Sequence, residues 1–146
     1  MNILVIEDSD IKFSHLIKFL LETYEDVKVK RTHSYQSGVE SLVYGNFDVV
    51  ILDMTLPASD VKDSYLDNEM FTFGGEFVLQ EMERLEIIVR TIVLTQYSTF
   101  IRDNAEVPFD QLKEEMLGGF PNIVCGFVRL DIDSVVWKQE LKYLIA

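Results

Sequence analysis

The sequence predicts an α/β fold on a doubly wound parallel sheet, and three observations carry that prediction. Short, wholly apolar runs alternate along the chain with segments of helical period. The apolar runs stop abruptly at polar residues, as strands covered on both faces do where they leave the core. Five strands alternating with five helices fit a chain of 146 residues, long enough to bury one well-developed core. Right-handed crossovers then put helices on both faces of an open five-stranded sheet.

Ile3-Leu4-Val5-Ile6 is the first strand, and it ends at Glu7-Asp8. Ser9 or Asp10 can cap the helix that follows, whose stripe runs through Phe13, Leu16, Ile17, Leu20 and Tyr24. Val27-Lys28-Val29-Lys30 alternates like a half-exposed edge strand. Ser34 to Val43 reads as a short helix closed by Gly45-Asn46. Phe47 to Leu52 is a second fully apolar strand, ending at Asp53. Periodicity fails from Met54 to Phe73. Gly74-Gly75 then opens a helix through about Leu85, with Phe77, Val78, Met82 and Leu85 on one side. Thr91 to Leu94 is a strand ending at Thr95. A polar stretch follows, then a helix near Phe109 to Leu117 stopped by Gly118-Gly119 and Pro121. Asn122 to Val128 is the last strand and Ile132 to Ile145 the last helix. The whole reads as one domain, 1–146, with an extended loop at about 54–74.

The composition narrows the function. A net charge of −12, from 25 acidic against 13 basic residues, lacks the basic footprint that nucleic-acid binding needs. No apolar run approaches the roughly 20 residues of a membrane span, and the N-terminus lacks the features of a signal peptide. The single Cys125 excludes an internal disulfide and suits a reducing cytoplasm. A cytoplasmic location is therefore expected.

In a doubly wound sheet, ligands bind beyond the carboxyl ends of the strands, and there the chain carries Glu7-Asp8, Asp53 and Thr95. Carboxylates brought together in one pocket repel, and a raised pKa or a bound cation resolves the conflict. Oxygen ligands alone suit a hard ion such as Mg²⁺. A metal beside Asp53 would also neutralise an incoming phosphoryl group, with Asp53 as the carboxylate nucleophile. Acids at strand ends also commonly solvate loops or cap helices, and three strand ends of the right type weigh against that plainer role.

These residues resemble a response-regulator receiver domain across almost the whole chain. Ile3-Leu4-Val5-Ile6-Glu7-Asp8-Ser9 is similar to the family's opening strand and acidic pair. Val49-Val50-Ile51-Leu52-Asp53-Met54-Thr55-Leu56-Pro57 resembles its phosphoacceptor segment. Leu94-Thr95 matches the strand ending in a hydroxyl residue, and Gly126-Phe127-Val128 the last strand with its aromatic switch. The resemblance implies a flavodoxin-like fold with strand order 2-1-3-4-5. It implies Asp53 as phosphoacceptor and Mg²⁺ held by Glu7, Asp8, Asp53 and the backbone carbonyl of Thr55, Asp8 most directly. Thr95 would bond the phosphoryl oxygens and Phe127 would turn inward with it. The implied partners are a histidine kinase or phosphotransfer protein and a downstream protein target, with a homodimer through the fourth helix, fifth strand and fifth helix as a further possibility. No enzymatic activity is implied beyond self-catalysed transfer to Asp53 and its hydrolysis.

Two features depart from the family. Its lysine, three residues after the switch aromatic, is here Leu130, and the adjacent Arg129 should face away by strand alternation. Chains that similarly carry Phe-Gly-Gly before the third helix and a tryptophan in the last helix form an atypical group without this lysine. The segment 54–73 is also long for a connection in a compact domain. It could fold over the acidic pocket, with Lys62 or Arg102 replacing the lysine, or it could be a surface loop. A pseudo-receiver, acting as a phosphorylation-independent interaction module, is the main alternative, favoured by Leu130. A metal-dependent phosphohydrolase would want an aspartate where Thr55 stands. No output domain follows Ala146 in this sequence, so the expectation is a stand-alone receiver acting through another protein, or else a piece of a longer chain. His15 and His33 read as surface residues, Cys125 as a small packed hydrophobe, and Gly74-Gly75 as too short for a phosphate-cradling loop. Trp137 and Tyr143 belong either to the core or to a docking face.

Overall fold

The computed structural model describes residues 1–60 and 72–146. Strands β1 (Asn2–Ile6), β2 (Lys28–Thr32), β3 (Val49–Leu52), β4 (Arg90–Thr95) and β7 (Val124–Arg129) form a parallel sheet in the order β2-β1-β3-β4-β7. Helices α1 (Asp10–Thr23), α2 (Tyr35–Tyr44), α3 (Gly74–Arg84), α4 (Phe109–Gly119) and α5 (Val136–Ile145) connect them. This is the α/β flavodoxin-like architecture expected from the sequence. Its fifth sheet strand is the seventh in the chain, because β5 (Thr99–Arg102) and β6 (Ala105–Pro108) form a separate antiparallel hairpin between β4 and α4.

The period-2 alternation of the central strands divides the core into two layers. Leu4, Ile6, Val50 and Leu52 face α2, α3 and α4, against Leu42, Val78, Leu79, Met82, Leu112 and Met116. Ile3, Val5, Val49 and Ile51 face α1 and α5, against Leu16, Leu20, Trp137 and Leu141. Burying each of these side chains contributes about 1.5–3 kcal/mol.

A bulge in β7 fixes which side chains reach which layer. Thr91 pairs with Val124 but Ile92 pairs with Gly126, so Cys125 is the extra residue and is exposed rather than packed, contrary to expectation. The extra residue reverses the alternation, turning Phe127 toward α4 and Val128 and Leu130 toward α1 and α5.

Other expectations are corrected at the same scale. The buried face of α3 is Gly74, Gly75, Val78, Leu79 and Met82, while Phe77 and Leu85 are exposed. The last helix starts at Val136, after a turn in which the Asp131 carboxylate accepts from the Asp133 N–H. The polar stretch after β4 holds the hairpin. Trp137 belongs to the core, edge-on to Phe19, whereas Tyr143 is exposed. Of the extended loop, Lys62, Asp63, Tyr65, Leu66, Asp67, Glu69, Met70 and Phe71 lie outside the described residues. Its first residues run over the N-terminus of α2, where the N–H groups of Tyr35 and Gln36 donate to the carbonyls of Pro57 and Ala58. Among the described residues, no helix is long and apolar enough to cross a membrane.

Candidate functional site

β1, β3 and β4 are neighbours in one parallel sheet, so their carboxyl ends carry Glu7, Asp53 and Thr95 to one place. All three are buried. Asp53 immediately follows Leu52, and its N–H donates to the Ile6 carbonyl, extending the β1–β3 ladder to the acid itself. Glu7 is held by the cap of α1: the Ser9 N–H donates to Glu7 Oε2 (3.1 Å), while Ser9 Oγ accepts from the Lys12 N–H (3.3 Å). Asp8 stands beside them, exposed.

Among the described residues, the cation of this pocket is Lys12. Its ammonium lies 2.5 Å from Glu7 Oε1 and 3.2 Å from Asp53 Oδ2, and donates to the Leu94 carbonyl at 3.3 Å. Only 3% of Lys12 is exposed. Sequence reasoning missed it, although a signal was present. Lys12 stands four and eight residues before Leu16 and Leu20, squarely on the buried stripe of α1. Of the expected substitutes, Lys62 lies outside the described residues. Arg102 is committed elsewhere, to Glu76 of α3 (3.3 Å) and Glu115 of α4 (2.9 Å), stacked over Phe73. Leu130 is packed among Ile3, Leu94 and Trp137, and Arg129 is exposed.

Among the described residues one ammonium serves two buried carboxylates, and the electrostatics follow. Burial, reinforced by Glu7, pushes the Asp53 carboxyl up to about 8, against the opposing pull of Lys12. Burial alone would lower the Lys12 pKa, but Asp53 and Glu7 outweigh it and hold the ammonium above its ordinary value. The second oxygen of Asp53, Oδ1, is buried and has no hydrogen-bond partner among the described residues. Such an oxygen fits a hard cation. Among the described residues no three acidic, histidine or cysteine side chains converge as a metal cage. Mg²⁺ commonly binds through one or two carboxylates and keeps its waters, so the pocket does not need one.

Thr95 is fully buried, its Oγ1 accepting from the Tyr97 N–H (3.3 Å), and its carbonyl accepts from the Leu130 N–H (2.8 Å). Phe127 is buried and meets Phe109, at the start of α4, edge-on at 4.9 Å. Thr55 Oγ1 donates to the Thr72 carbonyl (3.4 Å), pinning the two described ends of the long connection together. Gly75 brings α3 close beneath Asp53: its N–H donates to the Met54 carbonyl, and a Cβ there would sit 2.8 Å from Met54 Cα. His15 and His33 are exposed.

No family model matches the chain. The chain is similar to the Detocs response regulatory protein DtcB of Enterobacter cloacae (strain JD6301), 32% identical over 143 residues, covering 97% of this chain and 95% of that one. It is also 23% identical over 145 residues to the uncharacterized protein y4jR of Sinorhizobium fredii, covering 97% and 95%. Its fold is similar to the signal receiver domain of a Luxo repressor protein from Vibrio parahaemolyticus (TM-score 0.65, 15% identity, 99% of this chain and 88% of that one). It is likewise similar to the Thermotoga maritima response regulator TrrA, solved in complex with Mg²⁺-BeF (TM-score 0.62, 20% identity, 98% and 97%). With the sheet order, the acid at the end of β3 and this relationship over nearly its full length, the chain belongs to the response-regulator family as a receiver domain.

Proposed function

We propose that this receiver accepts a phosphoryl group on Asp53 and signals through contact with another protein. Asp53 itself carries the reading: a buried carboxyl at a strand end, with one oxygen held by a lysine and the other without a hydrogen-bond partner among the described residues. In the transfer, an Asp53 oxygen attacks the phosphorus of a phosphohistidine. The new P–O bond forms as the P–N bond breaks, and the leaving imidazole takes up a proton. Asp8, Asp53 and the backbone carbonyl of Thr55 would hold Mg²⁺; Glu7, with both oxygens on protein donors, would stand behind them. Bound there, Mg²⁺ would supply positive charge to offset the negative charge of the phosphoryl group. The Thr95 hydroxyl would bond the phosphoryl oxygens, and Phe127 would pass the change to α4 through Phe109.

The donor would be a histidine kinase or phosphotransfer protein, and the site of action the cytoplasm. The output face would be α4–β7–α5, where a groove of about 510 Å³ is lined by Leu117, Cys125, Phe127 and Tyr143. A homodimer or a downstream target would dock there. One observation favours the second reading, a phosphorylation-independent interaction module: Lys12 already supplies a cation to both buried acids.

Incubation with Mg²⁺ and acetyl phosphate, read by intact mass, separates the two. A phosphate adduct in the parent and none in Asp53→Asn is the expected result. No adduct in either protein would leave the interaction module.

A further inference from the structure

We infer that Lys12 is the cation that receives the phosphoryl group on Asp53, so that helix α1 supplies a catalytic residue of the acceptor pocket. The inference rests on the reading that Asp53 is the acceptor, and geometry supports it first. All three donors of the ammonium have oxygen partners, on Glu7, Asp53 and Leu94, and the Asp53 contact is to the acceptor carboxyl itself at 3.2 Å. Lys12 thereby touches the ends of β1, β3 and β4 from a single side chain.

Placement is the second support. Lys12 lies in the first turn of α1, where the helix macrodipole favours anions and opposes a cation. It also sits on the stripe of Leu16 and Leu20, where an apolar side chain would continue the core. A lysine at this position is disfavoured by its helix and by its burial, and among the described residues the two acids are the charges that offset this. The third support is the absence of another candidate among the described residues. Arg102 is held by Glu76 and Glu115. Arg31 is held by Asp10 and the Glu7 carbonyl, and Leu130 is apolar.

A phosphoryl group brings about −1.5 to −2 charge and three strong acceptor oxygens. On Asp53 that charge falls within reach of an ammonium already bonded to the same carboxyl. The ammonium exchanges a carboxylate oxygen for a phosphoryl oxygen, and its bond to Leu94, the neighbour of Thr95, couples the exchange to β4.

The test compares the unmutated protein with Lys12→Met. Removing the ammonium should slow adduct formation from acetyl phosphate about 10- to 100-fold, the effect of one charge-assisted hydrogen bond. Titrated with Mg²⁺ alone, Lys12→Met should bind as well as the parent or more tightly, since a competing positive charge has gone. Adduct formation at the parental rate would overturn the inference. So would joint loss of Mg²⁺ binding and adduct, which marks a merely structural lysine. Should Lys12→Met fail to fold, the Lys12 ε-methylene resonance of the unmutated protein, assigned through bonds, decides: it should shift on phosphorylation, and an unmoved resonance overturns the inference. Failure of the acceptor reading is distinguishable, because the unmutated protein itself would then form no adduct; that result removes the role of Lys12 with it.

Discussion

At the carboxyl edge of the sheet, the decisive fact is a ratio: two buried carboxylates, Glu7 and Asp53, share one ammonium among the described residues. Burial, with Glu7 reinforcing it, raises the Asp53 pKa on folding, and the sign of the consequence is fixed. The native state keeps a proton that the unfolded chain releases near pH 4, so this contribution to stability is fully present at lower pH. It is lost as the pH rises toward about 8. In metal-free buffer, the stability of Asp53→Asn relative to the parent should grow across that window and then level off, as urea unfolding at a series of pH values would show. A constant difference would contradict the burial argument. The acids and Thr95 were legible in the sequence because strand ends announce themselves as breaks in apolar runs. Lys12 was not, because a helical stripe is traced through its apolar members and a lysine is assigned to solvent by type. The stripe Phe13, Leu16, Ile17, Leu20 named the right helix and passed over Lys12 and Phe19, which are more buried than Phe13 and Ile17.

Among the elements, the β5–β6 hairpin was the least legible, since each strand is only four residues long and the alternation is too brief to register. Its turn had a readable cue. Asp103 and Asn104 have φ of 52° and 64°, as the two-residue type I′ hairpin turn requires, and Asp and Asn tolerate that region best after glycine. One pair, Phe100 opposite Val107, anchors the hairpin in the core. Arg102 clamps it to α3 and α4 at half-exposed sites. Phe100→Ala should therefore cost about 3–5 kcal/mol in urea unfolding, and Arg102→Ala about 1 kcal/mol or less. Equal costs would mean that the clamp, not the core contact, holds the hairpin. Two glycines make a second contrast. Gly75→Ala would press a methyl onto the Met54 backbone and should cost about 1–3 kcal/mol, whereas Gly118, with open space around it in α4, should gain up to about 1 kcal/mol as alanine. Unfolding midpoints moving in the same direction would contradict the close approach of α3 to the end of β3.

For the molecule as a whole, the architecture was legible because each central strand is an unbroken apolar run and each connection carries a helical period. What the sequence concealed was parity. The extra residue at Cys125 sends Phe127 to the α4 layer and Leu130 to the α1–α5 layer, and a strand read without its bulge places them the other way round. The result is a sheet whose carboxyl edge gathers a buried carboxyl from β3, a hydroxyl from β4 and a lysine from α1. An aromatic contact leads from β7 to α4. The central claim is that this edge is an acceptor for phosphate at Asp53. Borohydride trapping tests it most directly, because it reduces an aspartyl phosphate to homoserine at the modified residue. After incubation with Mg²⁺ and acetyl phosphate, peptide mapping should find homoserine at position 53. Homoserine at another aspartate, or none anywhere, would contradict the account.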